Sequence, residues 1–530
     1  MRSWIAIAGA GALACSGGGM HTQAPVPAPA APAPAPTVTT GRTGGADAVT
    51  AADVRRRITL VADDSMRGRA TPSAGLEMMA SYVASEFQRF ELRPMGDSGG
   101  YLQRYPLEIY QSRGDSAAVW ASGSAPQRWT LGQNMKFLQG RPIADHVAAT
   151  AVLITGTPQA GGGLDSATVA GKVAVVPIGA TGFAGATALL QRHPAAIIAI
   201  LALPDSIWAQ FPSHESGIEV RNPAEGGGIT VPPVLVIRDS TARPWLTQAG
   251  VNLDSARAAA TGALSARALS SLTVHVMLPS KLLRRTSAPN VVGMLEGSDP
   301  VLKHQYVLFT GHMDHIGQPG DGEGCAAKGA DSICNGADDD GSGSVAVLEL
   351  AQAFSSAAER PKRSLIFMTV SGEERGLWGS AYFADHPTVP IDSIVADLNS
   401  DMVGRSDTLK DSMAVIGREH SDLGTTLDAV AAAHPELHMT PIGDRWPQEN
   451  LYFRSDHYNF ARKGIPILFF TSGLHADYHQ VGDSPDKIDV EKEARFVKLA
   501  YYLGVAVANA PERPKWNPES YRRIVQGGND

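Results

Sequence analysis

YVLFTGHMDH at 306–315, NGADDDGSGSVAVLELAQAF at 335–354 and RSLIFMTVSGEERG at 363–376 decide how this 530-residue chain folds. Two short apolar, β-rich runs, Tyr306–Thr310 and Leu365–Ser371, each end in polar residues of a kind that binds metal. Between them, Ser344–Phe354 carries helical apolar spacing. The pattern predicts a strand, a loop, a helix and a second strand, and hence a parallel sheet. Ligands of such sheets lie just beyond the carboxyl ends of the strands. His312 and Asp314 fall there after the first strand, and Glu373 and Glu374 after the second. Asp338, Asp339 and Asp340 open the helix, whose N-terminal dipole favours carboxylates.

These residue types suit one chemistry. Catalytic zinc takes imidazole and carboxylate ligands, and three protein ligands leave a position for water. Two such ions about 3.5–4 Å apart, sharing one carboxylate, can activate water and polarise a carbonyl together. A lone His-x-Asp, a Glu-Glu pair or an Asp run is ordinary on a protein surface. Their succession at strand ends is what points to one site.

Five motifs then carry a family resemblance. Gly311-His312-Met313-Asp314, Asn335–Gly343, Ser371–Gly376, Asn399–Gly404 and Asp477-Tyr478-His479 resemble the zinc aminopeptidases of the M28 family, in that family's order. The resemblance spans 311–479. It implies a mixed, mostly parallel central sheet flanked by helices, two zinc ions, and peptides as substrates. It further implies that Asp339 bridges the ions, with His312 and Asp401 completing one ligand set and Glu374 and His479 the other. Glu373 would be the general base, and Asp314 would orient His312 from behind. A cis peptide at Asp339–Asp340 is also implied.

The rest of the chain frames this centre. Its 43% apolar and 18% charged composition is that of a globular protein. The length exceeds one core and predicts more than one domain. A net charge of −8 without a basic stripe argues against nucleic acid. Residues 1–22 read as an export signal, with Arg2 ahead of the apolar run Trp4–Ala14, which is too short to span a bilayer. Ala12-Leu13-Ala14-Cys15 resembles a lipobox with Cys15 as lipid anchor, and an ordinary cleaved signal is the alternative. This places the protein in the periplasm, on the outer membrane or outside the cell. Residues 23–50, with their Pro/Ala tract, read as a tether. Cys325 and Cys334 are expected to form a disulfide in an exported protein, metal ligation being the rival reading.

The catalytic fold is expected to begin at 51–139, with helices at Ala51–Leu60 and Ala74–Phe90, and to resume over 280–510. Short apolar runs in 140–265, among them Ala148–Ile154, Lys172–Ile178 and Ala195–Leu201, look like a small β-rich protease-associated (PA) domain inserted between. Gly179, Gly182 and Gly185 mimic a phosphate loop, but the spacing fits a tight turn better. Residues 511–530 read as a frayed tail. There is no H-E-x-x-H, no G-x-S-x-G with a plausible acid and His, and no Walker A motif. A carboxypeptidase or dipeptidase stays open, with Arg405, Arg445 and Arg454 near the motifs as candidate carboxylate binders. So do a glutaminyl cyclase-like enzyme and a non-catalytic binding relative.

Overall fold

The computed structural model describes residues 44–527, apart from 114–115, 123–133, 140–144, 158–163, 180–181, 212–217, 224–231 and 322–323. The export signal, Cys15 and the Pro/Ala tract lie outside the described residues.

The His312 strand, Tyr306–His312, lies at the middle of a ten-stranded sheet. It pairs in parallel with Ser364–Val370 on one side and Ile394–Ser400 on the other, and Ile467–Thr471 continues the parallel run. Outside these four strands the pairing turns antiparallel, to Ser412–Ile416 on one flank and Ser280–Leu295 on the other. The sheet is therefore mixed, with a parallel centre.

Parallel strands with both faces covered read as continuous apolar runs, and here the alternation divides them between two cores. Val307, Phe309, Leu365 and Phe367 pack on one face, and Leu308, Ile366 and Met368 on the other. The crossover helix, Gly343–Ser356, is buried along nearly its whole length. It is enclosed by the sheet and by helices Ala51–Val61 and Val490–Asn509, as an all-round apolar helix must be. Glycine lets its first turn approach the strands. A Cβ at Gly343 would stand 2.1 Å from the Ser400 carbonyl oxygen and 2.4 Å from the Asp340 carboxylate.

A second, seven-stranded sheet is built from residues 118–277. Its parallel centre comprises His146–Thr155, Val173–Pro177, Ala196–Leu201 and Val234–Arg238. Ala118–Ala121 and Ser265–Met277 extend it at one edge, beyond the 140–265 span at both ends. It has apolar clusters of its own. The chain leaves the first sheet along Leu102–Ser112 and returns along Ser280–Leu295, which pair antiparallel from Ser112 opposite Ser280. One strand of the intervening segment, Ile218–Arg221, joins the first sheet at the edge of Leu102–Ser112. Gly182 N donates to the Gly179 oxygen.

Two boundaries differ from expectation. Residues 44–50 are packed rather than tethered: Ala46, Ala48 and Val49 are buried, and Gln352 donates to the Ala48 oxygen. The C-terminal segment is docked rather than frayed. Pro518–Ile524 is a helix capped by Asn517, Trp516 Nε1 donates to the Gly464 oxygen, and Ser520 meets His420 Nδ1 at 3.0 Å. The Asn-Pro start of that helix is a legible cap with proline at the first turn. No helix among the described residues is long and apolar enough to cross a membrane.

Candidate metal centre

The polar residues collect at the carboxyl rim of the parallel centre. His312 closes its own strand, and Asp401 follows Ser400 directly. Glu373 and Glu374 follow Val370 through Gly372, whose φ is +73°. His479 lies in the loop after Thr471, at φ +56°. Asp339 sits in the tight segment Ala337–Ser342, where its own backbone (φ −98°, ψ 98°) and that of Asp340 are not helical, and the Asp339–Asp340 peptide is cis.

Two ligand groups result, and Asp339 belongs to both. In the first, His312 Nε2 is 3.4 Å from Asp339 Oδ1 and 3.7 Å from Asp401 Oδ1. In the second, His479 Nε2 is 3.2 Å from Asp339 Oδ2 and 3.0 Å from Glu374 Oε2. All five residues read as ligands from the sequence are thus brought together. His315 joins the second group; it stood unread in the GHMDH motif, as the third polar residue of H-x-D-H.

These residues fit divalent zinc. Ligand atoms held at about 2.0–2.1 Å in a tetrahedron stand about 3.3 Å apart, and the four distances above fall on either side of that. Asp339 Oδ2 and His479 Nε2 are buried and make no hydrogen bond among the described residues. Buried polar atoms without partners are costly; a shared cation would satisfy both. The electrostatics agree. Burial disfavours charge on His479, yet Glu374 and Asp339 outweigh it and lift the imidazole to about 11. Burial likewise opposes ionisation of Glu374, but His479 and His315 bring it down to about 2.

Glu373 differs from its neighbour. Burial pushes its carboxyl well above the ordinary carboxylate range; His312 opposes this, and Glu374 and Asp401 add to it. It belongs to neither ligand group, although Oε2 comes within 3.9 Å of His312 Nε2. A carboxyl kept able to hold a proton suits acid–base work.

Asp314 has a wider part than orienting His312. Its carboxylate stands 3.6 Å from His312 Nδ1, and its main-chain oxygen is nearer at 3.1 Å. The same carboxylate accepts from Gly372 N at 2.7 Å and Glu373 N at 3.3 Å. It therefore also clasps the loop that aims the two glutamates. Asp483 does the same for the Asp339 segment, accepting from Asp338 N and Asp339 N at 3.0–3.1 Å. His475, the other histidine of the last loop, faces Asp338 at 3.3 Å.

Arg69 is fully buried and donates to the carbonyl oxygens of Met313, Val61, Asn335 and Gly336. It ties the His312 loop to the Asp339 loop. Each buried acceptor left unpaired costs about 1–3 kcal/mol. Arg69→Leu is therefore expected to lower unfolding stability by at least about 4 kcal/mol and to weaken zinc retention. Denaturant unfolding and dialysis against chelator measure both; a loss under about 1 kcal/mol would remove the bracing role.

A pocket opens from Asp339 and Glu373 past Met402, Leu451, Phe469 and Leu474, with Arg454 and Tyr478 in its wall. Of the three arginines considered from the sequence, only Arg454 lines it. Arg405 is bound to Asp407 and Asp477, and Arg445 is exposed.

Residues 290–504 match the profile described as Peptidase family M28. A "Probable zinc metalloprotease" of Pyrenophora tritici-repentis is 32% identical over 224 residues, 35% of this chain and 46% of that protein. A "Probable leucine aminopeptidase" of Arthroderma benhamiae is 32% identical over 216 residues, 36% of this chain and 56% of that protein. The chain spans about half the length of these two relatives. An aminopeptidase from Aneurinibacillus sp. strain AM-1 shares the fold at a TM-score of 0.50 and 18% identity, covering 89% of this chain and 97% of that one.

Proposed function

We propose that this chain, whose residues 290–504 match the profile of peptidase family M28, is an aminopeptidase that works with two zinc ions. The observation that carries this reading is the meeting of two ligand groups at Asp339, with Glu373 beside them at the head of a pocket whose lining includes Met402, Leu451, Phe469 and Leu474.

His312, Asp339 and Asp401 would hold one ion, and Asp339, Glu374 and His479 the other. When bound, the pair supplies a water acidic enough to lose a proton near neutral pH and a polarised carbonyl. Glu373 takes that proton and returns it to the departing amine, the two directions requiring a carboxyl that is neither firmly ionised nor firmly neutral. Asp314 keeps Glu373 in reach by holding its backbone. Met402, Leu451, Phe469 and Leu474 offer an apolar wall to the substrate's N-terminal side chain, which suits a residue such as leucine.

Arg454 favours a second reading. It donates to the main-chain and carboxylate oxygens of Glu449 over long distances, 3.3–3.4 Å, so it could receive a substrate carboxylate as well. A substrate panel separates the two. Zinc-loaded enzyme is expected to cleave leucyl-anilide and free-amino peptides and to leave N-acetylated peptides intact. Release of C-terminal residues from N-acetylated peptides would establish a carboxypeptidase instead, and cyclisation of a glutaminyl peptide would establish a cyclase.

Export, with or without lipid attachment at Cys15, belongs to the same proposal. It is supported by the Cys325–Cys334 disulfide beside the site, a bond suited to an oxidising compartment. We read the segment carrying the second sheet as the PA-type insert.

A further inference from the structure

His315 has no place in the five-ligand scheme, yet it is fully buried against it. Its Nδ1 is 2.8 Å from Glu374 Oε1 and 3.7 Å from Asp339 Oδ2. One ring nitrogen of His315 and the ligand atoms of Asp339, Glu374 and His479 all lie within 4.8 Å of one another. The imidazole planes of His315 and His479 stand at 73°, with centroids 5.6 Å apart, so the rings meet edgewise rather than stacked. Nε2 of His315 is buried without a hydrogen-bond partner among the described residues; this is not a structural histidine held at both nitrogens.

The ring is also fixed in place. A Cβ on Gly336 would stand 2.4–2.5 Å from its carbons, so only glycine at this left-handed position, φ +58°, admits it. The Gly336 oxygen is in turn held by Arg69.

We propose that His315 is a fourth protein ligand, through Nδ1, of the ion held by Asp339, Glu374 and His479. The inference rests on the two-ion reading above. It makes the two sites unequal. Four protein ligands close a tetrahedral site, whereas three leave a position for water and substrate. The ion beside His479 becomes the tightly held one, and the ion beside His312 and Asp401 the open and more exchangeable one.

The test is stepwise zinc titration of chelator-stripped protein, wild type against His315→Gln and His315→Ala. Glutamine can still donate to Glu374 but is a poor zinc ligand. Partners that only orient a ligand change affinity about 10–100-fold. Loss of the ligand is expected to weaken the tighter step by about 100-fold or more in both variants, while the weaker step moves less than about threefold. A His315→Gln protein that titrates like wild type would overturn the inference and leave His315 as a hydrogen-bond donor. Wild type that takes up two ions beside such a variant keeps the two-ion reading; wild type that takes up none removes both. A measurement without mutation guards against misfolded variants. Cobalt-substituted wild type is expected to show three strongly shifted exchangeable imidazole N–H resonances, from His312, His315 and His479. Two such resonances would overturn the assignment.

Discussion

Glu373→Gln is expected to keep both zinc ions, bind substrate and lose about 10²–10⁴-fold in kcat, the usual worth of a positioned general base. The substitution preserves shape and removes only the capacity to carry a proton. Glu373 belongs to neither ligand group, so metal content has no reason to change, and its backbone remains clasped by Asp314. The adjacent Glu374→Gln is the matched comparison. Glu374 Oε2 is 3.0 Å from His479 Nε2, and an amide there should weaken the ion those two residues share. Zinc content and kcat measured side by side decide the matter. If Glu373→Gln loses zinc while Glu374→Gln retains both ions, the two roles are exchanged.

Asp339→Asn is expected to do more, because Asp339 alone belongs to both groups. Both ions should be lost or bound far more weakly, and with them several kcal/mol of transition-state stabilisation. At 1.36 kcal/mol per decade this is about three orders of magnitude or more in kcat/KM. Asp338→Asn is the control one residue away. Asp338 Oδ1 accepts from Gly404 N at 2.7 Å and Ser342 Oγ at 3.0 Å, which are structural contacts, so zinc should stay at two ions per chain. Retention of both ions by Asp339→Asn, with their loss from Asp338→Asn, would place the bridge on the wrong aspartate.

The parallel centre was legible because its signals are local. Runs such as Ser364–Val370 are apolar on both faces, and the metal-binding residue types follow them within a few positions. Choosing among three adjacent aspartates and two adjacent glutamates was a different matter. Periodicity cannot distinguish neighbours of one type, and only the family resemblance separated Asp339 from Asp338 or Glu373 from Glu374. The supports were not legible at all. Arg69 meets Met313, Asn335 and Gly336 across about 250 residues of sequence, and beside helix breakers it reads as one more surface charge. His315 was hidden for a related reason, since H-x-D already filled the expected pattern. The outer strands of the second sheet escaped because Ser265–Met277 alternates buried and exposed positions over only part of its length. Its first half looks like a polar loop.

The antiparallel pairing of Leu102–Ser112 with Ser280–Leu295 has a consequence for how such a chain can change over time. Ser112 and Ser280 face each other across one ladder rung, so the segment between them leaves and rejoins the catalytic sheet at a single point. A short hairpin turn could span the same gap. The intervening module is thus exchangeable in principle: it could be trimmed, replaced or re-specified without altering the register of any strand that carries a metal ligand. What resists clean excision is Ile218–Arg221, which lends an edge strand to that sheet and places Val220 in its core. A transplant that respects this seam would carry the borrowed strand along or leave a substitute in its place.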